Sequence, residues 1–181
     1  MKATIHQSTL EVVQGDITLQ DTEAIGNAAN SALAGGGGVD GAIHRAGGPT
    51  LMAELRSKYK GCPTGSAVIT GGGNLRAKYV IHAVGPRYSG SPKDPELLAS
   101  AYRKSLELCS QNKISSIAFP SISTGIYGYP VEEASRIALK TVADYLKDHP
   151  EIKLVRFVLF DSRTLSVYEE ALKGLSKSQQ R

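Results

Sequence analysis

The chain has 181 residues, of which 41% are hydrophobic and 21% are charged, a composition typical of a globular protein with one domain. Its formal net charge is +4, but residues 173–181 hold Lys173, Lys177, Arg181 and no acidic residue. The rest of the chain therefore carries only +1 (4 − 3), which argues against a groove that binds nucleic acid.

Short apolar runs alternate with amphipathic patterns along the chain, and this alternation predicts an α/β fold. In chain order the predicted elements are strands 10–14 and 24–28, helices 39–46 and 49–59, strands 67–70 and 79–84, helix 95–109, strand 114–119, helix 130–146, strand 154–160 and helix 162–172. Asp94 followed by Pro95 is typical of a helix N-cap and first turn. We expect residues 1–181 to form a single domain in which about 173–181 is a frayed basic tail.

Two loops that each join a predicted strand to a predicted helix have the composition of phosphate-binding sites. The first, residues 27–41, contains four consecutive glycines, which let backbone N–H groups approach a ligand at a helix N-terminus. The second, residues 120–130, supplies hydroxyls, amides and glycines, although an ordinary turn would have a similar composition. Because ligands of such sheets bind beyond the carboxyl ends of the strands, the two loops predict a cleft for a ligand with two phosphates.

The glycines also fit a dinucleotide-binding fingerprint, G-x-G-x-x-G, at Gly36, Gly38 and Gly41. That motif requires an acidic residue at the end of the next strand to bind a ribose. Here the next predicted strand ends in three glycines, residues 71–73, whereas a carboxylate, Asp40, lies inside the glycine turn itself. A nicotinamide-dependent oxidoreductase is therefore a weak alternative.

Six segments of the chain resemble the motifs of the macrodomain family, in the family's order. They are residues 15–18, 27–30, 35–44, 64–65, 81–86 and 123–128. The unbroken segment 35–44 is most similar to the MacroD-type subclass of ADP-ribosylhydrolases and O-acetyl-ADP-ribose deacetylases. The resemblance implies a three-layer α/β/α fold with a mixed central sheet, and it implies no metal and no cofactor.

The resemblance also implies roles for individual residues. Asp16 would accept a hydrogen bond from the adenine amino group, and Phe160 would stack on or flank the adenine. Asn30 would hold the distal ribose, and Asp40 would orient or deprotonate a water. The implied catalytic residues are Asn30 and Asp40, and the implied ligand-binding residues are Asp16, Ile17, Asn27, Gly37, Gly38, Val39, Ser123, Thr124, Gly125, Ile126, Tyr127 and Phe160.

Simpler structural roles compete with several of these assignments. Asp16 could only cap a turn, and Asp40 could be a helix-start residue that gains about 0.3–1 kcal/mol from the helix dipole. We interpret Asn27 mainly as a residue that stabilises its own loop, and Asn30 mainly as a ligand residue. His82 is interpreted as a structural histidine, and His44, one turn after Asp40, either as a structural histidine or as a general base.

The sequence departs from the family pattern at Gly26, where a branched aliphatic residue is usual, at Phe160, where many relatives have tyrosine, and at the glycines of residues 71–73. Because glycine inside a strand costs roughly 0.5–1 kcal/mol, we expect strand 24–28 to be weakened. None of the departures removes an implied catalytic group.

These observations favour a hydrolase that removes mono-ADP-ribose from acidic side chains of proteins and deacetylates O-acetyl-ADP-ribose. Water could attack either the ester carbonyl or the anomeric carbon. The alternative is a reader module that binds ADP-ribose without turnover; a partner of nucleic acid or poly(ADP-ribose) is disfavoured by the charge. The chain has no apolar run of membrane-spanning length and no signal-peptide pattern near Met1, so we expect a cytoplasmic protein with no membrane partner.

Overall fold

The computed structural model describes residues 1–179 and contains one seven-stranded sheet. The strands are β1 (Lys2–Ile5), β2 (Ser8–Gln14), β3 (Ala24–Ala28), β4 (Ala67–Gly71), β5 (Tyr79–Ala83), β6 (Ser116–Phe119) and β7 (Leu154–Leu159). Their order across the sheet is β1-β2-β7-β6-β3-β5-β4. The edge pairs β1–β2 and β4–β5 are antiparallel and the four inner pairs are parallel, so the prediction of a mixed sheet is confirmed.

Helices cover both faces of this sheet. They are α1 (Gly38–Gly47), α2 (Thr50–Lys58), α3 (Lys93–Gln111), α4 (Val131–Asp148) and α5 (Ser162–Gln179), and a short 3-10 helix spans Ile17–Leu19. Side chains of α3, α4 and α5 form the larger core on one face, whereas Ile43 of α1 and Leu51 of α2 pack on the other face. Successive residues of β5 point to opposite faces, since Val80 belongs to one core and Ile81 to the other. The three-layer α/β/α prediction is confirmed.

Three details of the predicted elements are wrong. Strand β1 was not predicted, because only Ile5 of its four residues is buried and its sequence has no clear apolar alternation. Helix α3 begins at Lys93 rather than after an Asp94 cap: the Asp94 carboxylate accepts hydrogen bonds from the backbone N–H groups of Ser89 and Gly90 in the preceding loop. These bonds also lower the pKa of Asp94.

The third error concerns the C-terminus, where a frayed tail was expected from residue 173. Helix α5 instead continues to Gln179, because Leu172 is buried and Leu175 packs against the larger core. Positions 180 and 181 lie outside the described residues. Among the residues that are described, no helix combines the length and apolar composition needed to cross a membrane.

Gly26 has a specific packing reason that sequence alone did not reveal. A Cβ atom built on Gly26 would lie 2.7 Å from Cδ1 of Phe119 in the neighbouring strand β6. The Phe119 ring therefore occupies the space that a branched side chain at position 26 would fill. Strand β3 nevertheless pairs with both β5 and β6, so the expected weakening does not interrupt the sheet.

Candidate active site

A cavity of about 400 Å³ opens at the carboxyl ends of the neighbouring parallel strands β6, β3 and β5. The first glycine-rich loop follows β3 and the second follows β6, so the sheet order brings together the two loops that the sequence singled out. The cavity is lined by Ala28, Ala29, Asn30, Gly36, Gly37, Gly38, Val39, Asp40, Gly85, Arg87, Ser121, Ile122, Ser123, Gly125, Ile126 and Tyr127. A larger groove of about 600 Å³ lies between α4 and α5 but contains none of the predicted site residues.

The N-terminus of α1 forms one wall of the cavity. Its N-cap residue, Gly37, offers no side chain to the first backbone N–H groups of the helix, and Gly37, Gly38 and Val39 all line the cavity. Gly38 has φ +56°, a left-handed conformation that favours glycine. Uncapped N–H groups and the positive end of the helix dipole favour an anion at this wall.

The loop after β6 forms the opposite wall. Ser123 has a φ of +71°, which is uncommon for a residue with a side chain and is found mainly where the surrounding structure imposes it. Its hydroxyl is buried without a hydrogen-bond partner among residues 1–179. Ile126 is fully exposed at the loop tip, and Thr124 bonds to Ser121 instead of lining the cavity.

Arg87 is a cavity residue that the sequence interpretation missed. Its guanidinium carbon lies 5.0 Å from the centre of the Tyr127 ring, a cation–π arrangement, and the N–H of the next residue, Tyr88, donates to the Tyr127 carbonyl. Two residues before Arg87, Gly85 packs so closely on Ser123 that a side chain at position 85 would collide with the Ser123 hydroxyl. The available signal was the segment 81–86, which ends one residue before Arg87.

Asp40 lies in the first turn of α1, with only 7% of its surface exposed, and faces the cavity. Its Oδ1 atom receives a hydrogen bond of 2.7 Å from Asn27 Nδ2, and His44 Nε2, one turn later on α1, is 3.3 Å from the same oxygen. The other oxygen, Oδ2, is the atom of Asp40 nearest to the Cβ position of Gly36, at 3.6 Å. Asn27 and His44 thus contact Oδ1, whereas Oδ2 lies on the side of the glycine loop.

The interpretations of Asn27 and Asn30 need correction. Asn27, predicted to bind ligand and to stabilise its own loop, is completely buried within β3 and does not line the cavity. Asn30 lines the cavity, but its side chain also holds its own loop by donating to the Gly35 carbonyl at 2.9 Å and accepting from the Ala34 N–H at 3.0 Å. The loop-stabilising role therefore belongs to Asn30, and Asn27 contacts Asp40 instead.

The residues implied to bind adenine lie at the same edge of the sheet, outside the cavity lining. The N–H of Gly15 donates to the Leu159 carbonyl, which brings the ends of β2 and β7 side by side and places Asp16 near Phe160. Asp16 Oδ1 caps the 3-10 helix by accepting from the Thr18 N–H and hydroxyl, at 2.9 and 2.7 Å. Ile17 is buried, whereas Phe160 is 87% exposed, as a residue available for stacking would be.

Comparison with known proteins gives a consistent result. The family model described as Macro domain matches residues 26–138. An O-acetyl-ADP-ribose deacetylase of Cronobacter sakazakii is 53% identical over 167 residues, which cover 90% of this chain and 93% of the relative. The solved macrodomain of Oceanobacillus iheyensis with ADP has a TM-score of 0.94 and 49% identity, covering 98% and 97% of the two chains. The Trypanosoma brucei macrodomain in complex with ADP-ribose has a TM-score of 0.86 and 40% identity, covering 90% and 68%.

Proposed function

The chain belongs to the macro domain family, and we propose that it is a hydrolase that binds ADP-ribose and cleaves ester bonds at the distal ribose. Its substrates are O-acetyl-ADP-ribose and mono-ADP-ribose attached to acidic side chains of proteins. Both are esters at the same sugar, so one site serves both. The proposal is supported by the similarity to an O-acetyl-ADP-ribose deacetylase and to macrodomains solved with ADP and ADP-ribose.

The ligand lies along the carboxyl edge of the sheet in this proposal. The adenine sits between Asp16 and Phe160, where Asp16 Oδ2 accepts from the exocyclic amino group. The two phosphates lie between the uncapped N-terminus of α1 and the loop after β6, with the positive charge of Arg87 in the same cavity. The distal ribose then falls beside Asn30 and Asp40, which line the wall nearest the glycine loop.

The position of Asp40 is the observation that carries the assignment of hydrolysis. A carboxylate next to two phosphates opposes ligand binding, so a module that only binds ADP-ribose gains nothing from it. As a group that accepts or orients a proton of the attacking water, it contributes mainly in the transition state. Because Oδ1 is occupied by Asn27 and His44, Oδ2 is the atom that contacts the water.

The test is turnover of two esters by the purified protein. We expect ADP-ribose and acetate from O-acetyl-ADP-ribose, and free ADP-ribose from a protein that carries mono-ADP-ribose on aspartate or glutamate. A protein modified on arginine through an N-glycosidic bond serves as the matched control and should remain modified. Tight ADP-ribose binding in calorimetry without turnover of either ester would identify a reader module, and absence of binding would overturn the proposal altogether.

A further inference from the structure

A chain of four buried polar side chains runs beneath the cavity and ends at Asp40. Thr70 of β4, His82 of β5, Asn27 of β3 and Asp40 of α1 are each at least 93% buried. Asn27 and His82 are direct register partners in the parallel pair β3–β5, so the sheet itself sets their separation. Thr70 Oγ1 lies 2.9 Å from His82 Nε2, and His82 Nδ1 lies 3.1 Å from Asn27 Nδ2.

The direction of each hydrogen bond among these four side chains follows from the protons that each donor has available. The single hydroxyl proton of Thr70 is donated to the Gly71 carbonyl at 2.9 Å, so Thr70 Oγ1 accepts the proton of His82 Nε2. His82 is then the Nε2–H tautomer, and its bare Nδ1 accepts one proton of the Asn27 amide. The second proton of the same Asn27 nitrogen is donated to Asp40 Oδ1.

The burial of His82 keeps this arrangement in place. Desolvation, together with the nearby His44, lowers the pKa of His82 from 6.5 to about 3, while Glu54 acts weakly in the opposite direction. His82 is therefore neutral over the physiological range and retains an acceptor at Nδ1. A protonated imidazole would carry a donor there and would favour the opposite orientation of the Asn27 amide.

The observed orientation of the Asn27 amide is unfavourable for its own oxygen. The Oδ1 atom is buried without a hydrogen-bond partner among the described residues, and an orphaned buried acceptor is destabilising. The opposite orientation would place that oxygen against the Asp40 carboxylate and against the bare nitrogen of His82. The acceptor of His82 and the carboxylate thus jointly select the observed orientation.

We infer that His82 is a positioning residue: held in one tautomer by Thr70, it fixes the Asn27 amide, and Asn27 in turn holds Oδ1 of Asp40 so that Oδ2 remains directed to the cavity. This inference rests on the proposed role of Asp40 in ester hydrolysis. His44 alone does not supply the same constraint, since it contacts Oδ1 only at 3.3 Å and lies on the same helix as Asp40.

Two variants of similar shape separate positioning from packing. His82→Leu removes the acceptor, whereas in His82→Asn an amide oxygen can take the place of Nδ1. We expect His82→Leu to lower kcat on the order of 10-fold to 100-fold, as typical for an outer-shell partner of a catalytic group, while KM and ADP-ribose affinity stay near the wild-type values. His82→Asn should recover most of that loss. A merely structural role predicts the reverse order, since buried Leu is tolerated better than an under-bonded amide.

A spectroscopic measurement tests the same inference without relying on turnover. Two-bond 15N–1H spectra of the protein labelled on histidine should show His82 as the Nε2–H tautomer, unchanged from pH 8 to pH 5. Wild-type kcat in folded His82→Leu, or an Nδ1–H tautomer, would overturn the positioning role. If the wild type hydrolyses neither ester, the proposed function fails, but the tautomer of His82 still tests the assigned chain of hydrogen bonds. The Nε2–H tautomer supports that chain, and the Nδ1–H tautomer refutes it.

Discussion

Asn27 Nδ2 lies 2.7 Å from Asp40 Oδ1, which links a buried central strand to the first turn of α1. One oxygen of the carboxylate is therefore tied to the sheet, whereas the groups proposed to bind phosphate are the uncapped N-terminus of α1 and the loop after β6. Because Asp40 has this separate anchor, substitutions should separate turnover from ligand affinity.

Asp40→Ala should abolish most turnover without abolishing binding. General acid–base catalysis typically contributes ~10²–10⁴-fold, so we expect a loss of that size in the single-turnover rate. ADP-ribose affinity should stay within roughly an order of magnitude of wild type, because the lost interaction is made mainly in the transition state. Asn30→Ala should reduce both to intermediate degrees, since Asn30 lines the cavity and holds its loop. Full activity in Asp40→Ala would refute the mechanism.

Asp16→Ala should weaken ADP-ribose binding by roughly 1.5–3 kcal/mol, the scale of a hydrogen bond to a charged acceptor. Because Asp16 also caps the 3-10 helix through Thr18, the matched control is Thr18→Val. That control removes the hydroxyl contact to Asp16 but leaves the carboxylate, so its affinity should change little. Unchanged affinity of folded Asp16→Ala in calorimetry would remove Asp16 from the site.

Gly125→Val should block ADP-ribose binding and leave the free-energy of unfolding close to wild type. A Cβ atom at Gly125 meets no atom within 4 Å, so the protein accommodates a side chain there, yet the residue lines the cavity and the side chain would occupy ligand space. Gly174→Val on α5 is the control, because that glycine is equally open but lines only the α4–α5 groove. Normal binding by Gly125→Val would show that the second loop holds no phosphate.

The elements predicted best from the sequence are those in which an uninterrupted pattern of apolar residues is buried. Strand β3 has the predicted bounds, and β7 and α1 differ from prediction by one residue at each changed end. Edge strand β1 was missed because burial of one residue in four leaves no periodic signal. The Asp94–Pro95 pattern was misleading because Asp94 bonds to the preceding loop, a contact that local propensity cannot distinguish from a helix cap.

The same limit applies to the site. The sequence placed two asparagines and an aspartate near one ligand, but the roles of Asn27 and Asn30 depend on which side chain points into the sheet. That choice follows from the register of β3 with β5, which joins residues 55 positions apart. The role of His82 was missed for the same reason, since its two hydrogen-bond partners, Thr70 and Asn27, come from two other strands.

Gly26→Val should destabilise the protein by about 1–3 kcal/mol, the usual cost of overpacking a filled core. The new side chain would collide with the Phe119 ring, whose Cδ1 lies 2.7 Å from the Cβ position. Phe119→Leu alone should also destabilise, because the ring packs against Tyr102 and Phe157. In urea unfolding, the double variant should lose less unfolding free energy than the two single variants lose in sum. Strict additivity would mean that the two positions do not share space.

The stability of the fold should fall in mild acid because of His82. In the unfolded chain its pKa is near the ordinary value of 6.5, whereas in the native protein burial lowers the pKa to about 3. Between these values the unfolded state binds a proton that the native state excludes, so stability decreases as the pH falls through this window. Between pH 7 and pH 5 this one group should cost about 2 kcal/mol of unfolding free energy. The carboxylates of lowered pKa, such as Glu54, act mainly below that range.

Urea unfolding at pH 7, 6 and 5 should therefore show a shallower decline of unfolding free energy for His82→Leu than for the wild type. Parallel curves would mean that His82 takes up its proton equally in both states, and that it is not held neutral by the fold.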